Sequence, residues 1–496
     1  MTRVNPGKVY LVGAGPGDPG LLTLKGKECL EQAHVVLYDY LANPALLRHA
    51  PADAEQIYVG RRGRGHYQNQ ADINRLLIER ARAGQIVVRL KGGDPFMFGR
   101  GGEEAEAVAA AGVDFEIVSG VTAAVAVPAY AGIPVTHRTL ASTVTIVTGH
   151  EDPAKSDTVV DWPKLASTSG TLVFMMGMKT LPTIVARLMH DGRSPDTPVA
   201  AIRWGSRAEQ RTIVGTLRDI VTKANQARFE PPTVIVVGEV VKLREQLNWF
   251  EKRPLFGKRI VLTRPQSQAR EFSQLLLAYG AEAVEVPTIQ IVPPTSWHPI
   301  DHAIDGLADY RWLVLTSVNA VAPFMSRLRA AGKDSRALFH LRICVIGPRT
   351  AQELERYGLV PDLVPSAYQA EGILEAFKEE KLAGIKVLIP RAEAARELLP
   401  ERLREMGALV DVIAVYRTVA PASALDALKG ELEEGRISVI TFTSSSTVRN
   451  FVDLLGGRET AQRLTRNVVI ACIGPITAGT VEEYGLPVTI VPRENT

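Results

Sequence analysis

The chain has 496 residues, of which 46% are hydrophobic and 22% are charged. This balance is typical of folded proteins, and the length predicts about three or four domains rather than one core. The 57 basic and 54 acidic residues almost cancel, so neither nucleic acid nor a membrane surface is an expected partner.

Cysteine usage and the N-terminal segment exclude further classes of protein. Cys29, Cys344 and Cys472 are far apart and lack metal-ligand spacing, so we expect neither a disulfide framework nor a bound metal. The segment before Lys8 has no apolar core, and no run of about 18 apolar residues occurs in the chain. We therefore expect a cytoplasmic protein that is not inserted in a membrane.

Two modules are predicted along the chain. From Lys8 onward, short runs rich in Val, Ile and Leu alternate with longer segments of helical period. This alternation predicts an α/β architecture with mostly parallel strands. The segment 251–258 is polar and contains Pro254 and Gly257, so we place the first module at 1–252, a linker at 253–257 and the second module at 258–496.

The second module repeats itself. Five pairs of residues recur at one spacing of 127 positions, for example 391−264: Arg264 and Arg391, Ser317 and Ser444, Gly347 and Gly474, Thr350 and Thr477, and Tyr357 and Tyr484. A repeat of this length predicts a duplicated pair of α/β lobes with a cleft between them. The alternative is that similar turn residues recur without a duplication.

Two glycine-rich segments follow predicted strands in the first module. The first, GAGPGDPG at 13–20, allows close backbone approach to a ligand. An NAD-binding fingerprint would need glycine at the position of Asp18, with Asp39 as the ribose-binding acid. An NAD-dependent oxidoreductase and a purely structural turn both remain alternatives for this segment. The second, RLKGGDPFMFGRGGEE at 89–104, surrounds one acid, Asp94.

Together with VVLYD, SGVTAA, GIPVTHR, TLVFMMG and PPTVIVVGEVV, these segments resemble the tetrapyrrole methylases, and among them uroporphyrinogen-III C-methyltransferase. The resemblance covers about residues 8–250. It implies two α/β lobes, about 8–122 and 123–250, a homodimer formed through this half, and S-adenosylmethionine bound in the cleft between the lobes. The implied cofactor positions are Pro16, Gly92, Gly93, Asp94, Met97, Thr122, Ala123, Met176 and Gly205.

The resemblance also implies catalytic and substrate-binding roles. The proposed base of the family matches Asp39, which would accept a proton from the substrate; a solvated strand-end acid is the alternative. The family's lysine in a GKR-x-G pattern is Arg61 here. Because a guanidinium stays protonated, we expect Arg61 to bind a substrate carboxylate rather than to act as an acid. Arg62, Arg64 and His66 would complete a basic loop; for Arg62 and Arg64, a solvated run of charges is the alternative.

The second module, about 258–496, resembles uroporphyrinogen-III synthase through KRIVLTRP, VLTSVNAV, ICVIGPRTA, VIAVYRT, ITFTSSSTVRNF and ACIGPITAGTVEEYG. The resemblance implies two lobes, about 258–289 plus 420–496, and 290–419. The family's proposed acid matches Tyr416, which would assist loss of the substrate hydroxyl as water. Carboxylate-binding candidates are Arg264, Thr316, Ser317, Arg391, Thr443, Ser444 and Thr477. The alternatives are a packed tyrosine ring and hydroxyls that only cap helices.

The sequence therefore predicts a bifunctional enzyme acting on small-molecule tetrapyrroles. The second module would close hydroxymethylbilane to uroporphyrinogen III, and the first would methylate that product twice to precorrin-2. The alternative is a methyltransferase with a non-catalytic, tetrapyrrole-binding second module. The sequence leaves open whether precorrin-2 would serve siroheme or cobalamin synthesis.

Overall fold

The computed structural model describes residues 7–60, 69–149, 159–263, 266–286, 290–419 and 422–493. The chain forms two compact units, Met1–Arg259 with Gln274–Glu282, and Ile260–Ser273 with Ala283–Thr496. These units do not follow one cut in the sequence, because 274–282 belongs to the first. The predicted limits at 252 and 258 stay a prediction.

The first unit begins with a sheet of five parallel strands in the order β3-β2-β4-β1-β5. Helices cover both of its faces, so the three inner strands, β2, β4 and β1, are mostly apolar. Two of the helices, α2 and α3, pack on one face and α1 packs on the other. The elements are β1 (Lys8–Gly13), α1 (Leu24–Glu31), β2 (Val35–Tyr38), β3 (Glu55–Tyr58), α2 (Gln70–Arg82), β4 (Ile86–Lys91), α3 (Gly101–Ala110), β5 (Asp114–Val118) and α4 (Ala123–Tyr130).

A second sheet, in the order β6-β7-β10-β8-β9, follows in the same unit. Its only parallel pair among the described strands is β6 with β7; the other three pairs are antiparallel. The short connection 204–210 lets β8 and β9 pair as neighbours in this way. Helix α4 packs on one face, and α5, α6 and α7 pack on the other. The elements are β6 (Val144–Thr148), α5 (Trp162–Ser167), β7 (Thr171–Met175), α6 (Leu181–His190), β8 (Pro198–Arg203), β9 (Arg211–Thr216), α7 (Ile220–Gln226), β10 (Thr233–Val237) and α8 (Arg244–Leu247).

Two further five-stranded sheets follow, in the orders β12-β11-β18-β19-β20 and β13-β17-β16-β14-β15. They lie in the second unit, apart from the first residues of β11 and β12. The elements are β11 (Arg259–Leu262), α9 (Gln266–Ala278), β12 (Glu282–Glu285), β13 (Gln290–Val292), α10 (His298–Asp305), β14 (Trp312–Leu315), α11 (Val318–Ala330), β15 (Arg342–Val345), α12 (Pro348–Glu355), α13 (Ala370–Phe377), β16 (Lys386–Ala392), α14 (Leu398–Glu405), β17 (Leu409–Val419), α15 (Ala422–Glu433), β18 (Val439–Phe442), α16 (Ser445–Leu454), α17 (Arg458–Thr465), β19 (Val469–Cys472), α18 (Pro475–Glu483) and β20 (Val488–Ile490).

These two sheets are copies of one arrangement. Strands β16, β17, β18 and β19 begin 127 residues after β11, β12, β14 and β15 respectively (386−259, 409−282, 439−312 and 469−342). The order β12-β11-β18-β19 in one sheet therefore corresponds to β17-β16-β14-β15 in the other. This duplication confirms the predicted fold class, a two-lobed α/β module followed by a duplicated two-lobed α/β module.

The three cysteines lie in the packed interior as free thiols. Burial raises the pKa of Cys344 to about 12 and, with a smaller contribution from Glu482, raises that of Cys472 to about 11. Such thiols are unreactive near neutral pH and serve as small apolar groups. Within the described part of the chain, none of the helices combines the length and apolar character needed to cross a membrane.

Candidate functional site

Two glycine loops join at the carboxyl edge of the first sheet. Gly15, which follows β1, and Gly93, which follows β4, exchange two backbone hydrogen bonds of 3.1 and 2.7 Å. Their φ angles are +72° and +71°, a conformation that only glycine adopts without strain. Pro16 is the next residue after Gly15, so this pairing brings the predicted positions Pro16, Gly92 and Gly93 together.

Helix α4 begins beside these loops. A Cβ built on Gly93 would lie 3.7 Å from the backbone nitrogen of Ala123, the first residue of α4. Thr122 caps the helix by accepting a hydrogen bond from Ala124 N. The Ala123 N–H has no hydrogen-bond acceptor among the described residues, as expected for a first helical turn.

Asp94 anchors the second glycine loop. Its Oδ1 accepts a hydrogen bond of 2.8 Å from Phe96 N, and its Oδ2 accepts one of 2.9 Å from Gly120 N. Met97 lies in the same turn and donates its backbone N–H to the carbonyl of Asp94. Asp94 therefore has a structural role that sequence reasoning did not supply, and its predicted contact with the cofactor stays a prediction.

The second sheet places its own predicted residues at one edge. Strands β7 and β8 both run antiparallel to β10, which lies between them, so their carboxyl ends meet at the same edge. Met176 follows β7 and Gly205 follows β8. Gly205 is packed against α4, because an added Cβ would lie 2.3 Å from Val127 Cγ1. Met176 has a φ of +56° and is 49% exposed.

Contacts between the two lobes bring these edges together. The Asp18 backbone N–H donates to Ser206 Oγ at 3.1 Å, and Arg207 Nη2 donates to the Leu41 carbonyl at 2.8 Å. The Tyr40 ring packs edge-on against Trp204. The loop after β2 and the turn after β8 therefore border the same region as the glycine loops.

Asp39, the predicted base, lies in the loop after β2. Its Oδ1 accepts a hydrogen bond of 3.1 Å from Leu41 N, and its Oδ2 pairs with Arg89 Nη2 at 3.2 Å. A Cβ on Gly92 would lie 2.5 Å from Leu41 Cβ. The structure thus places the predicted base in a loop packed directly against the predicted cofactor segment.

Behind Asp39 lies a set of buried charges. Arg89 and Lys91 project from β4, and both contact Glu104 Oε1, at 3.3 and 2.9 Å. Gln70 Nε2 adds a third hydrogen bond to that oxygen at 3.0 Å. The sequence analysis predicted no role for these charged residues, although they lie in or next to the second glycine-rich segment. The signal was available, because two cations two positions apart in the otherwise apolar strand IVVRLK share one face of the strand.

The loop after β1 differs from a dinucleotide-binding turn. Asp18 Oδ1 accepts a hydrogen bond from Gly20 N, and its Oδ2 accepts one from Tyr130 OH at 2.7 Å. Burial, together with this hydrogen bond, raises the pKa of Tyr130. A short 3₁₀ turn, Pro19–Leu21, separates this loop from α1, so no helix N-terminus directly follows the glycines as a pyrophosphate site requires.

In the second unit, Tyr416 lies on β17 and is almost fully buried. Its hydroxyl donates to Ser317 Oγ at 3.2 Å. Ser317 also caps α11 by accepting a hydrogen bond from Asn319 N at 3.1 Å. Two sequence-predicted residues from different parts of the chain are therefore in contact, and the predicted capping role of Ser317 is present as well.

The other predicted residues of this unit lie in two different sheets, Thr316 and Arg391 at the ends of the neighbouring strands β14 and β16, and Thr443 and Ser444 after β18. Arg391 is 7% exposed; its guanidinium donates to the Arg396 carbonyl at 2.8 Å and pairs with Glu397. Thr316 and Thr443 follow β14 and β18 and are half-buried. Ser444 caps α16 through Thr447 N, and Thr477 is buried within α18. Their roles in substrate binding stay predictions. Arg61, Arg62, Arg64, His66 and Arg264 lie outside the described residues.

Comparison with known proteins assigns both halves. Residues 8–221 match the family described as Tetrapyrrole (Corrin/Porphyrin) Methylases. Residues 270–496 match the family described as Uroporphyrinogen-III synthase HemD. The two matches follow each other along the chain without overlap.

Individual similar proteins match either almost the whole chain or about half of it. A "Porphyrin biosynthesis protein HemD" of Ruminiclostridium josui is 36% identical over 487 residues, 98% of this chain and 95% of that protein. An "S-adenosyl-L-methionine-dependent uroporphyrinogen III methyltransferase" of Methanosarcina barkeri is 53% identical over 243 residues, 49% of this chain and 95% of that protein. A solved structure of uroporphyrin-III C-methyl transferase from Thermus thermophilus, complexed with S-adenyl homocysteine, is 40% identical, with a TM-score of 0.41, and covers 48% of this chain and 99% of that chain.

The glycine loops, the helix N-terminus and the strand-end acid together define the first half as an α/β enzyme module with a small-molecule site. The chain belongs to the tetrapyrrole methylases in its N-terminal half and to the uroporphyrinogen-III synthases in its C-terminal half. It therefore joins a methyltransferase domain and a synthase domain of tetrapyrrole biosynthesis in one polypeptide.

Two glycine substitutions test the packing of the Asp39 loop on the second glycine loop. We expect Gly92→Ala to destabilise the protein by roughly 1–3 kcal/mol, because the new Cβ would overlap Leu41 Cβ and displace the loop. The matched control is Gly102→Ala in α3, where an added Cβ meets nothing within 4 Å. The control is expected to be neutral or slightly stabilising. Urea unfolding of both variants checks this; equal stabilities would contradict the packing described.

Proposed function

We propose that residues 258–496 convert hydroxymethylbilane to uroporphyrinogen III, and that residues 1–252 methylate this product twice with S-adenosylmethionine to give precorrin-2. The observation that carries the proposal is the position of Asp39, a strand-end carboxylate that accepts a hydrogen bond from Leu41 N in a loop packed against Gly92 of the second glycine loop. The family membership of both halves supports the pairing of the two reactions.

The residues at the edge of the first unit fit S-adenosylmethionine. An added Cβ on Gly93 would have the Ala123 nitrogen, at 3.7 Å, as its single described neighbour within 4 Å, so the Ala123 N–H can donate to a polar group of the cofactor. Gly92 and Gly205 supply no side chain, and Met97 and Met176 offer adaptable apolar surface. Pro16, Asp94 and Thr122 would border the same pocket. The bound cofactor supplies an electrophilic methyl group.

Asp39 would handle the proton that each methylation releases. The carboxylate is 21% exposed, so a substrate can reach it. Oδ1 and Oδ2 each hold one hydrogen-bond donor, which leaves further lone pairs on both oxygens free to accept the substrate proton. Arg61 and its neighbours would bind substrate carboxylates.

In the synthase half, the hydroxyl pair of Tyr416 and Ser317 would act on the leaving hydroxyl of hydroxymethylbilane. Ser317 Oγ already accepts hydrogen bonds from Asn319 N and from Tyr416 OH. The hydroxyl proton of Ser317 can therefore be donated to the leaving hydroxyl of the substrate. The hydrogen bond from Tyr416 would stabilise the Ser317 oxygen during that donation, as water leaves. Arg391, Thr316, Thr443, Ser444 and Thr477 would hold carboxylates of the same substrate.

The whole proposal is tested by product analysis. Purified full-length protein is incubated without oxygen with hydroxymethylbilane, in the presence or absence of S-adenosylmethionine. We expect uroporphyrinogen III without the methyl donor and precorrin-2 with it. Failure to cyclise hydroxymethylbilane, combined with methylation of added uroporphyrinogen III, would favour a non-catalytic tetrapyrrole-binding second half.

Asp39→Asn tests the base. We expect methylation to slow by roughly 100-fold or more, since the amide cannot accept the proton. Calorimetric affinity for S-adenosylmethionine should change little, because Asp39 is not among the cofactor positions. Asp196→Asn, at an exposed carboxylate paired with Arg218, is the matched control and should retain full activity. Undiminished turnover in Asp39→Asn would remove this residue from the mechanism.

Tyr416→Phe tests the hydroxyl pair of the synthase half. We expect the cyclisation rate to fall by roughly 100-fold, with methylation of added uroporphyrinogen III unchanged. Tyr310→Phe is the matched control, because it also removes a buried phenol hydrogen bond, here to Asp411 at 2.6 Å. This control should lose stability but keep its cyclisation rate. Equal rate losses in both variants would mean that the Tyr416 hydroxyl serves only packing.

A further inference from the structure

The buried charges behind Asp39 form one cluster in which each side chain contacts the next. Arg89 contacts Asp39 through Nη2 and Glu104 through Nε. Its remaining nitrogen, Nη1, donates to the carbonyls of Leu90 at 3.1 Å and Leu37 at 3.5 Å. All three nitrogens of the guanidinium are thus engaged, so its plane is fixed relative to the ends of β2 and β4.

Glu104 fixes Arg89 in turn. The Glu104 side chain is fully buried, and its Oε1 receives hydrogen bonds from Arg89, Lys91 and Gln70. Among the residues that the structure describes, none donates a hydrogen bond to its Oε2. Three donors on one oxygen hold that oxygen in place, on a rigid helix packed against the sheet. Arg89 therefore has a fixed partner on its inner side.

The positive and negative charges of this cluster are equal in number. Two cations and two anions lie together, and three of the four side chains are at most 5% exposed. Burial and the neighbouring Arg89 lower the pKa of Lys91, whereas Glu104 opposes both. Removal of one partner from such a cluster leaves an uncompensated charge, which is costly. Asp39 is the one member of this cluster that reaches the surface.

We infer that Arg89 is a positioning residue for methyl transfer, holding the Asp39 carboxylate in its reactive orientation, and that Glu104 orients Arg89. This inference rests on the proposed role of Asp39 as the base. An arginine suits this task because its planar fork can hold two carboxylates in different directions at once. A lysine at this position could pair with only one of them closely.

The test is a double-mutant cycle in the full-length protein. We expect Arg89→Gln to lower kcat for methylation by roughly 10- to 100-fold, since small displacements of a catalytic group have effects of this size. The KM values for uroporphyrinogen III and S-adenosylmethionine should change by less than about threefold. In the Asp39→Asn background, Arg89→Gln should lower kcat further by less than about threefold, because the carboxylate that it positions is already gone.

Control variants separate positioning from folding. Arg244→Gln disrupts another buried pair, Arg244 with Glu251, and should lose stability while keeping kcat. Arg89→Lys retains the positive charge and should fold, with a kcat between those of Arg89→Gln and the unmodified protein. Losses that multiply in the double mutant, or an Arg89→Lys enzyme with full activity, would overturn the inference. Full activity in Asp39→Asn would instead overturn the proposed base, so the two failures are distinguishable.

Discussion

The paired backbone hydrogen bonds between Gly15 and Gly93 are the constraint on which the proposed methyltransferase site depends. They join the loops that leave two adjacent parallel strands, and both glycines have positive φ angles that residues with side chains rarely adopt. Gly13 and Gly120 approach equally closely, since a Cβ on Gly13 would lie 2.4 Å from Gly120 Cα. Because these contacts involve only backbone atoms, the loops lie close together. Both α4 and the loop that contains Asp39 pack against them.

The two halves of the chain build polar sites in different ways. In the first half, ionised groups extend from the core to the surface, from Lys91 and Glu104 through Arg89 to Asp39. In the second half, Tyr416 meets Ser317 through neutral hydroxyls, and the buried cation Arg391 is already paired with Glu397. A neutral hydroxyl pair carries a smaller cost of burial than an ion pair.

Duplication of the synthase half repeated the scaffold without repeating the hydrogen-bonded pair of Tyr416 and Ser317. Ser317 and Ser444 occupy equivalent helix caps, and Gly347 and Gly474 both precede helices that open with proline. The position 127 residues before Tyr416 is Ile289 (416−127), so the repeat provides one phenol and not two. The equivalent serine, Ser444, instead contacts Ser446 Oγ. One lobe therefore carries the hydroxyl pair that the other lacks.

The sequence by itself determined the α/β class, the duplication and the glycine-rich segments that meet at one edge of the first sheet. Apolar strand patterns, glycine positions and a fixed repeat spacing are properties of the linear sequence, so a single sequence is enough to detect them. Tertiary structure alone decided the antiparallel pairing of the second sheet, the anchoring of Asp94 on Gly120, and the contact of Tyr416 with Ser317. It also decided that Arg89 and Glu104 lie behind Asp39. These contacts join residues distant in sequence, and only the packing of strands and helices brings their side chains within hydrogen-bonding range.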